Sequence, residues 1–591
     1  MVSPHWQHQI QLAQLSRQSS SAHHHARAAA TISRGGPAPT GLSLQDPSSL
    51  LPTNSGLYVN GAFKPVHDRN ESTDPEHLDH LQQDDKQDRR QDWSALDLGG
   101  QGIRNISPSL FNYQFLQKLY INHNRLTAIP AAICKLSQLM ILDISGNLLT
   151  TLPSEIGLMK SLKMLLMIDN SIQNLPSEMG LLYKLEVLGI EGNPLPESTK
   201  SIMAKNGTRG VIHDLRDNGP VSPQPPPRDW IVLEEKESTK SNEEEGIFSV
   251  VSYNILCDRY TSTIYEYTPS WALSWDYRRE SIKHEIESYD ADIICLQEID
   301  NQTFEDFMLP ELASKGYDGY QWLKSRAKTM TPQNKKRVDG CAIFYRKSVF
   351  KLLDQQPIEI QQVAMNSNML VSDKDALKNY PDIFNRVATK DHIATVSCLE
   401  HIGTGNRLIV ANMHIHWDPL DKDVKLVQVG LLLGELNNMA EKFSKIKPSD
   451  ESKASYQSGT KVPMVVCSDL NSTPDSGVYQ LISKGSIPGD HPDFQGFKYG
   501  KFTDSGISHN FSLKSSYGNI GELSFTNCTP TFTDVVDYIW YSTNTLSVNG
   551  LIGEPDKEYM SKVIGFPNAH FPSDHISLFA QFQFKVPTAS S

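Results

Sequence analysis

Two hydrophobic periods divide the chain. Between residues 93 and 213 leucines return every 23 positions, at Leu116, Leu139, Leu162 and Leu185, and asparagines keep the same step at Asn124, Asn147, Asn170 and Asn193. The full unit reads Leu139-x-x-Leu142-x-Ile144-x-x-Asn147-x-Leu149, and Pro130, Pro153 and Pro176 recur at the same interval. A degenerate first copy starts at Trp93, with Gln101 where asparagine is expected. This is the leucine-rich repeat pattern: one repeat cannot bury its own leucine face, so stacked repeats share a core while each asparagine satisfies backbone groups at a turn. It predicts about five repeats forming a solenoid, whose concave strand face is the expected docking surface for a protein partner.

Beyond residue 246 the pattern changes to strand-length apolar runs, at 248–256, 293–298, 341–345, 392–399, 408–415, 462–467, 535–541 and 576–584. Helical spacing predicts helices over 277–289, where Ile282, Ile286 and Tyr289 share a face, over 421–443, and over 475–483 behind Thr473-Pro474. Many strands with few helices in one large unit predict two packed sheets flanked by helices. The 293–298 run ends at a carboxylate, so Glu298 is expected where a buried strand emerges at a sheet edge.

Composition separates the remainder. Residues 1–45 contain no acid and are rich in Gln, His, Ser and Ala, and charge density rises sharply over 68–92, so 1–92 reads as a disordered leader. Residues 214–245, with the run NGPVSPQPPP and a charged stretch after it, read as a linker, although 230–233 could pack back as a strand. The predicted organisation is a leader at 1–92, a solenoid at 93–213, a linker at 214–245, a catalytic domain at 246–584 and a tail at 585–591. The polar stretch 449–461 reads as an insertion. A net charge of -13 excludes coating nucleic acid through bulk positive charge but not a local basic groove. No apolar run reaches 18 residues and the N-terminus has no signal-like apolar core, so no membrane span or secretory signal is expected. Seven cysteines without a CxxC spacing read as reduced thiols in the cytosol or nucleus.

Polar residues recur in or at the ends of the predicted strands: Asn254, Glu298, His414 and His416, Asp469 and Asn471, Asp537, and Asp574 beside His575. Carboxylates and an asparagine oxygen without cysteine suit a hard cation, Mg²⁺ or Mn²⁺, although two histidines at i, i+2 would alone point to zinc. A hard cation, acids and an Asp-His pair together fit phosphodiester hydrolysis.

These motifs, Asn254, LQE ending at Glu298, SDLN at Ser468 to Asn471, VVDYI at Val535 to Ile539 and SDH at Ser573 to His575, resemble the endonuclease/exonuclease/phosphatase superfamily. With the repeats in front, NMHIHWDP, and CDRY at Cys257 to Tyr260, the chain resembles the carbon-catabolite-repressor-type deadenylases of that superfamily. The resemblance implies an α/β leucine-rich repeat solenoid followed by an α+β four-layer (α-β-β-α) sandwich. It implies a Mg²⁺-dependent, poly(A)-specific 3′-to-5′ exoribonuclease that releases 5′-AMP, using one or two ions, with Mn²⁺ able to substitute. Glu298, Asn254 and Asp574 are then expected at the metal. Asp469 is expected to deprotonate water, Asn471 to hold water or phosphate in line, His575 to contact phosphate with Asp537 fixing its ring, and His414 to touch the scissile group. Pro419 and Phe532 would sandwich an adenine, and Asn412 would contact substrate. Lys324, Arg326, Lys328, Lys335, Lys336 and Arg337 are candidates to line the RNA path. Implied partners are poly(A) RNA and, through the repeats, a ribonuclease D-like deadenylase bridging to a Not-type scaffold, in a messenger-decay and transcription-regulating complex of cytoplasm and nucleus. The competing expectations are another superfamily substrate (abasic DNA, an inositol phosphate or sphingomyelin) and an inert scaffold.

Overall fold

The computed structural model describes residues 2–33, 93–233, 246–261, 265–366, 368–371, 378–446 and 455–585. Most of the predicted leader, part of the linker, the start of the 449–461 insertion and nearly all of the tail therefore lie outside the described residues. The chain divides into two compact units, Met1–Pro220 and Val221–Ser591.

In the first unit the 23-residue step becomes strand register. Ala95–Asp97, Lys118–Tyr120, Ile141–Asp143, Met164–Leu166 and Val187–Gly189 form a parallel sheet in which Leu119 pairs with Leu142, and Leu142 with Leu165. Each recurring proline immediately precedes a short 3₁₀ segment: Pro130, Pro153 and Pro176 come before Ala131–Lys135, Ser154–Leu158 and Ser177–Leu181. The asparagines form a ladder between repeats. Asn147 accepts from Leu126 N at 3.0 Å and donates to Ile121 O at 3.1 Å, while Asn170 does the same for Leu149 N and Ile144 O. Buried backbone groups that strands this short leave open are satisfied in this way. The helix Glu197–Asn218 belongs to this unit, so the linker begins after residue 218 rather than at 214.

The expected disorder of 1–92 does not hold at its start. Pro4–Gln18 and His24–Ser33 are helices, the first with Ser3 accepting from Trp6 N at its N-cap. Leu12 and Ala13 bury against Tyr120, Ile141, Met164, Leu166, Ile168 and Val187, which are residues of the strand face. Gln9 caps the free edge of the sheet, its amide donating to Leu188 O at 2.8 Å and accepting from Ile190 N at 2.9 Å. Arg17 grips Asp169 through two nitrogens and reaches Glu191. The strand face is thus occupied by the chain's own N-terminus.

Among the described residues the second unit holds two small two-stranded sheets and is built on two large ones. One orders Trp230–Val232, Leu546–Ile552, Leu578–Phe584, Ile247–Asn254, Ile293–Asp300, Asp339–Arg346 and Tyr317–Leu323. The other orders Phe350–Glu359, Ile393–His401, Arg407–His414, Met464–Asp469, Asp537–Ser542 and Leu513–Ser515. Val250, Ile293, Cys295 and Ile343 of the first meet Leu408, Val410, Cys467 and Ile539 of the second in one buried core. On the outer face of the first sheet lie Ile282 and Ile286 of the helix Trp275–Tyr289; on that of the second lie Leu426, Val427 and Leu431 of the helix Lys422–Ser444. Trp230–Val232 does pack back as a strand, so this unit begins before residue 246. The helix expected from Asp475 is Gly477–Lys484, because Ser476, not Thr473, accepts from Tyr479 N and caps it.

If the N-terminal helix is docked as described, Leu12→Asp should release it without unfolding the repeats. Limited trypsinolysis should then cut at Arg17 at least tenfold faster while the far-ultraviolet signal of the solenoid persists. Unchanged protection of Arg17 would contradict the docking.

Candidate active site

The catalytic candidates come together where the two sheets open at one end. Sheet register sets three of them in a row: His414 pairs with Asp469, and Asp469 with Asp537, across adjacent strands. The facing sheet contributes Asn254, at the end of its strand, and Glu298.

Glu298 does not end its strand. The strand runs on to Asp300, and Gln297 and Ile299 pair with the consecutive residues Cys341 and Gly340. Glu298 is therefore the extra residue of a β-bulge, with φ 56° in the left-handed region. A bulge leaves one residue out of the ladder and re-aims its side chain, and such backbone is held only where the surroundings over-determine it. Gly340 is required opposite, because a Cβ there would lie 1.9 Å from the Trp322 carbonyl oxygen. The carboxylate accepts from Cys257 N at 3.1 Å and from Asn254 Nδ2 at 3.3 Å. Burial pushes its pKa up.

Asp469 is the most crowded acid. Its Oδ2 accepts from Asn254 Nδ2 at 2.8 Å and stands 3.6 Å from His414 Nε2 and 3.8 Å from His575 Nε2. Burial, and secondarily the neighbouring charge of Asp537, raise its pKa to about 7. His575 donates from Nδ1 to Asp537 at 2.7 Å, and Thr526 Oγ1 donates to the same carboxylate oxygen at 2.7 Å. Despite burial, Asp537, Asp574 and Asp469 together raise the His575 pKa well above its ordinary value. His414 goes the other way: burial and the Lys324 charge keep it neutral, and its Nε2 takes the Asn471 amide at 3.1 Å. Asn471, at φ 43°, caps Asp469 Oδ1 with its own N–H, while the buried Lys425 ammonium holds the Asn471 carbonyl at 2.8 Å. Asp574 accepts from Tyr265 OH at 3.0 Å and Asn527 Nδ2 at 3.2 Å, leaving its other oxygen 3.9 Å from His575 Nε2.

Glu298, Asp469, Asp537, Asp574, His414, His575 and Asn471 thus form one connected cluster. Two expectations need correction. Asn254 faces Glu298 and Asp469 with its NH₂ while its oxygen accepts from Leu256 N at 3.0 Å, so in this structure it ties the carboxylates together and does not turn its oxygen toward them. Asn412 is wholly buried between the sheets, donating to Leu296 O and Ala342 O and accepting from Gln297 Nε2, and no group is left for substrate. Pro419 and Phe532 are exposed, as a base-binding pair requires. The basic run splits: Lys324 and Arg326 are ion-paired with Asp339, and Lys328 with Glu359, whereas Lys335, Lys336 and Arg337 are exposed. Sequence reading missed the Lys324–Asp339 pair that backs Glu298, and missed Arg278, whose buried guanidinium donates to Ile255 O, Leu256 O and Pro572 O and fixes the loops around the cluster. Neither carried a motif, since each acts through partners distant in the chain.

The donor set fits a divalent hard cation. It is rich in carboxylate oxygen, its negative groups outnumber its cations, and the nearby Cys257 thiol is held protonated by burial. Ligand atoms of Asp469, Asp537 and His575 lie within 4.8 Å of one another. His416, Asp418 and Asp421 form a second such group, but Arg386 and Lys390 already neutralise Asp421.

Residues 251–575 match the Endonuclease/Exonuclease/phosphatase family, and residues 95–206 match a leucine-rich repeat region. The chain is 46% identical over 615 residues to the CCR4-Not complex 3′-5′-exoribonuclease subunit Ccr4 of Mycosarcoma maydis, covering 99% of this chain and 90% of that one. It is 45% identical over 648 residues to the protein of the same name from Schizosaccharomyces pombe, covering 100% and 93%. Among solved structures, ANGEL2, a 2′,3′-cyclic phosphatase, aligns at 25% identity and a TM-score of 0.45, over 60% of this chain and 97% of that one.

The raised pKa of Asp469 has a measurable consequence without metal. Between the ordinary carboxylate range and about 7 the folded chain keeps a proton that the unfolded chain releases, so this group's contribution to stability falls as pH rises through that window and levels off above it. In chelator, Asp469→Asn should gain melting temperature relative to the parent progressively from pH 4 to pH 7. Parallel pH profiles for parent and variant would contradict the assignment.

Proposed function

The chain belongs to the endonuclease/exonuclease/phosphatase family and, within it, to the Ccr4 3′-5′-exoribonucleases of the CCR4-Not complex, and from that premise we propose how this site shortens poly(A) tails. The observation that carries the reading is the position of Asp469, hydrogen-bonded to Asn254 and in line with His414 and Asp537 across the strands. A carboxylate with its pKa near neutrality is matched to taking a proton from water. Asp469 serves as that base, and Asn471, locked by Asp469, His414 and Lys425, holds the water or phosphate in line. The water oxygen bonds to phosphorus, the bond to the 3′-oxygen of the preceding nucleotide breaks, that oxygen takes up a proton from solvent, and 5′-AMP leaves a shortened RNA with a free 3′-hydroxyl. His575, held cationic against Asp537, offers its Nε2 proton to a non-bridging phosphate oxygen. His414, kept neutral and 3.6 Å from Asp469, would contact the scissile group.

Glu298 and Asp574 would hold Mg²⁺, with Asn254 orienting Glu298 rather than ligating. Bound there, Mg²⁺ supplies neutralisation of charge developing on the phosphoryl oxygens. Pro419 and Phe532 would sandwich the terminal adenine. Helix faces packed on the outer sides of both sheets support a four-layer arrangement for the catalytic unit, and the asparagine ladder supports a solenoid before it. Protein partners, a ribonuclease D-like deadenylase bridging to a Not-type scaffold, would meet the repeats. Since residues 4–18 already lie on the strand face, the surface presented there is a composite of repeats and N-terminus. No helix among the described residues is long and apolar enough to cross a membrane. Cytoplasm and nucleus are the proposed locations.

With Mg²⁺ the full chain should trim a 5′-labelled RNA ending in adenosines to a ladder, and chelator should stop it. Glu298→Ala should lower the rate by roughly a hundredfold or more. Phe532→Ala should cost about ten- to a hundredfold, the worth of one base stack, and chiefly on A-ended substrates. An RNA left at full length in Mg²⁺ would refute the reading.

A further inference from the structure

Beside the catalytic cluster, on the Glu298 side, lies a cleft of about 280 Å³ to which no role has been assigned. Its wall includes Asp300, two residues beyond Glu298 on the same strand, and the loop residues Asp258 and Arg259, which follow the Cys257 N–H that binds the Glu298 carboxylate. The opposite wall is the loop carrying Lys336 and Arg337, tied in place by Asn301 N to Val338 O and Gln302 N to Lys336 O. Trp275 and Phe307 give the cleft aromatic surface.

The charges set this cleft apart. The chain is acidic overall, and most arginines and lysines of the catalytic unit near the cleft are spoken for: Arg278 by backbone carbonyls, Arg279 by Asp276 and Glu280, Lys283 by Glu311, Lys324 and Arg326 by Asp339. Arg259, Lys336 and Arg337 are exposed and have no ion-pair partner among the described residues. Three cations without an ion-pair partner match the phosphates of a single nucleic-acid strand, while Trp275 and Phe307, partly buried and already overlain by Arg278 and Arg279, form the apolar floor. A compact polyphosphate fits less well, because Asp258, Asp300 and Asp306 share the same walls.

We propose that this cleft binds the RNA backbone upstream of the scissile phosphate. The inference rests on the exoribonuclease reading above. The terminal adenosine is assigned to Pro419 and Phe532, which come from segments flanking the sheet of His414 and Asp537; the remaining strand then leaves across the rim built by Glu298 and Asp300, where the cleft begins. The three cations make the enzyme's grip depend on the length of RNA beyond the cut, while the catalytic cluster handles the last nucleotide alone.

The test compares the full chain with the variant Arg259→Ala/Lys336→Ala/Arg337→Ala on two 5′-labelled substrates, A20 and A3, in Mg²⁺. The ratio of kcat/KM for A20 to that for A3 should fall at least tenfold in the variant. The slope of log KM for A20 against log salt should flatten by about 2, three contacts at about 0.7 each. A ratio within twofold of the parent's, or an equal loss on both substrates, would overturn the proposal. A parent chain that shortens neither RNA would instead bring down the exoribonuclease reading itself, and this inference with it.

Discussion

Negative charge crowded into a largely buried pocket is the constraint on which the catalytic unit depends. Asp469 and Asp537 are register partners on neighbouring strands, and Glu298 and Asp574 close in from the other side. Unpaired, buried carboxylates this close would cost several kcal/mol each, so every one is hydrogen-bonded and the group as a whole calls for a cation. The local devices answer that need: the Asn254 amide bridges two acids, His575 neutralises Asp537, Thr526 holds the same oxygen, and Cys257 N caps Glu298. An excess of negative charge held in this way favours the approach of a cation. Burial in that crowd, with the Asp537 charge second, lifts the Asp469 pKa toward neutrality.

Holding the two sheets at a fixed offset matters as much as the charges, because each sheet supplies only part of the cluster. Asn412 shows how this is done. Lying in the row of inward-facing residues, it spends its amide on Leu296 O, Ala342 O and Gln297 Nε2, all on the opposing sheet, immediately behind Glu298. Replacing it by an apolar residue would take one partner from each of two carbonyls and from the Gln297 amide, which also reaches Ser252, in a dry interior. Arg278 plays a comparable part at the open end, drawing the 255–256 and 572 backbones together. The left-handed backbone at Glu298 and Asn471 is tolerated because these neighbours leave it no alternative.

Repetition and chemistry were legible in the sequence; long-range context was not. The 23-residue step fixed the strand register of the first unit, because a solenoid contact is a contact between equivalent positions. The cluster of acids and histidines was legible because each stood at a strand end and the family motifs tied them together. Glu298 was misplaced by a local rule: an apolar run stopping at a carboxylate looks like a strand end, and only pairing with Gly340 and Cys341 reveals a bulge. Asn412 was expected at the substrate from the family resemblance; it shares a strand face with His414, two residues on, but lies deeper between the sheets, where its amide meets backbone carbonyls of the opposing sheet. The N-terminal helix escaped notice for a related reason. Its grip on the repeats uses Leu12, Ala13, the Gln9 amide and Arg17, too few apolar positions to make a periodic stripe.

The basic run at 324–337 shows why charge counted along a chain is a poor guide to charge presented to a ligand. Six cations in fourteen residues suggested one RNA-binding strip. Folding consumes three of them: Lys324 and Arg326 neutralise Asp339 beneath Glu298, and Lys328 pairs with Glu359. What remains is carried by the 335–337 loop and is joined by Arg259, a residue some seventy-five positions earlier that no local pattern would have grouped with it. Paired cations hold Asp339, the acid behind Glu298, in its ionised form, whereas unpaired ones are free to meet phosphate. One sequence motif is thus divided between building the site and approaching its substrate, and the division is set by which carboxylates the fold brings within reach.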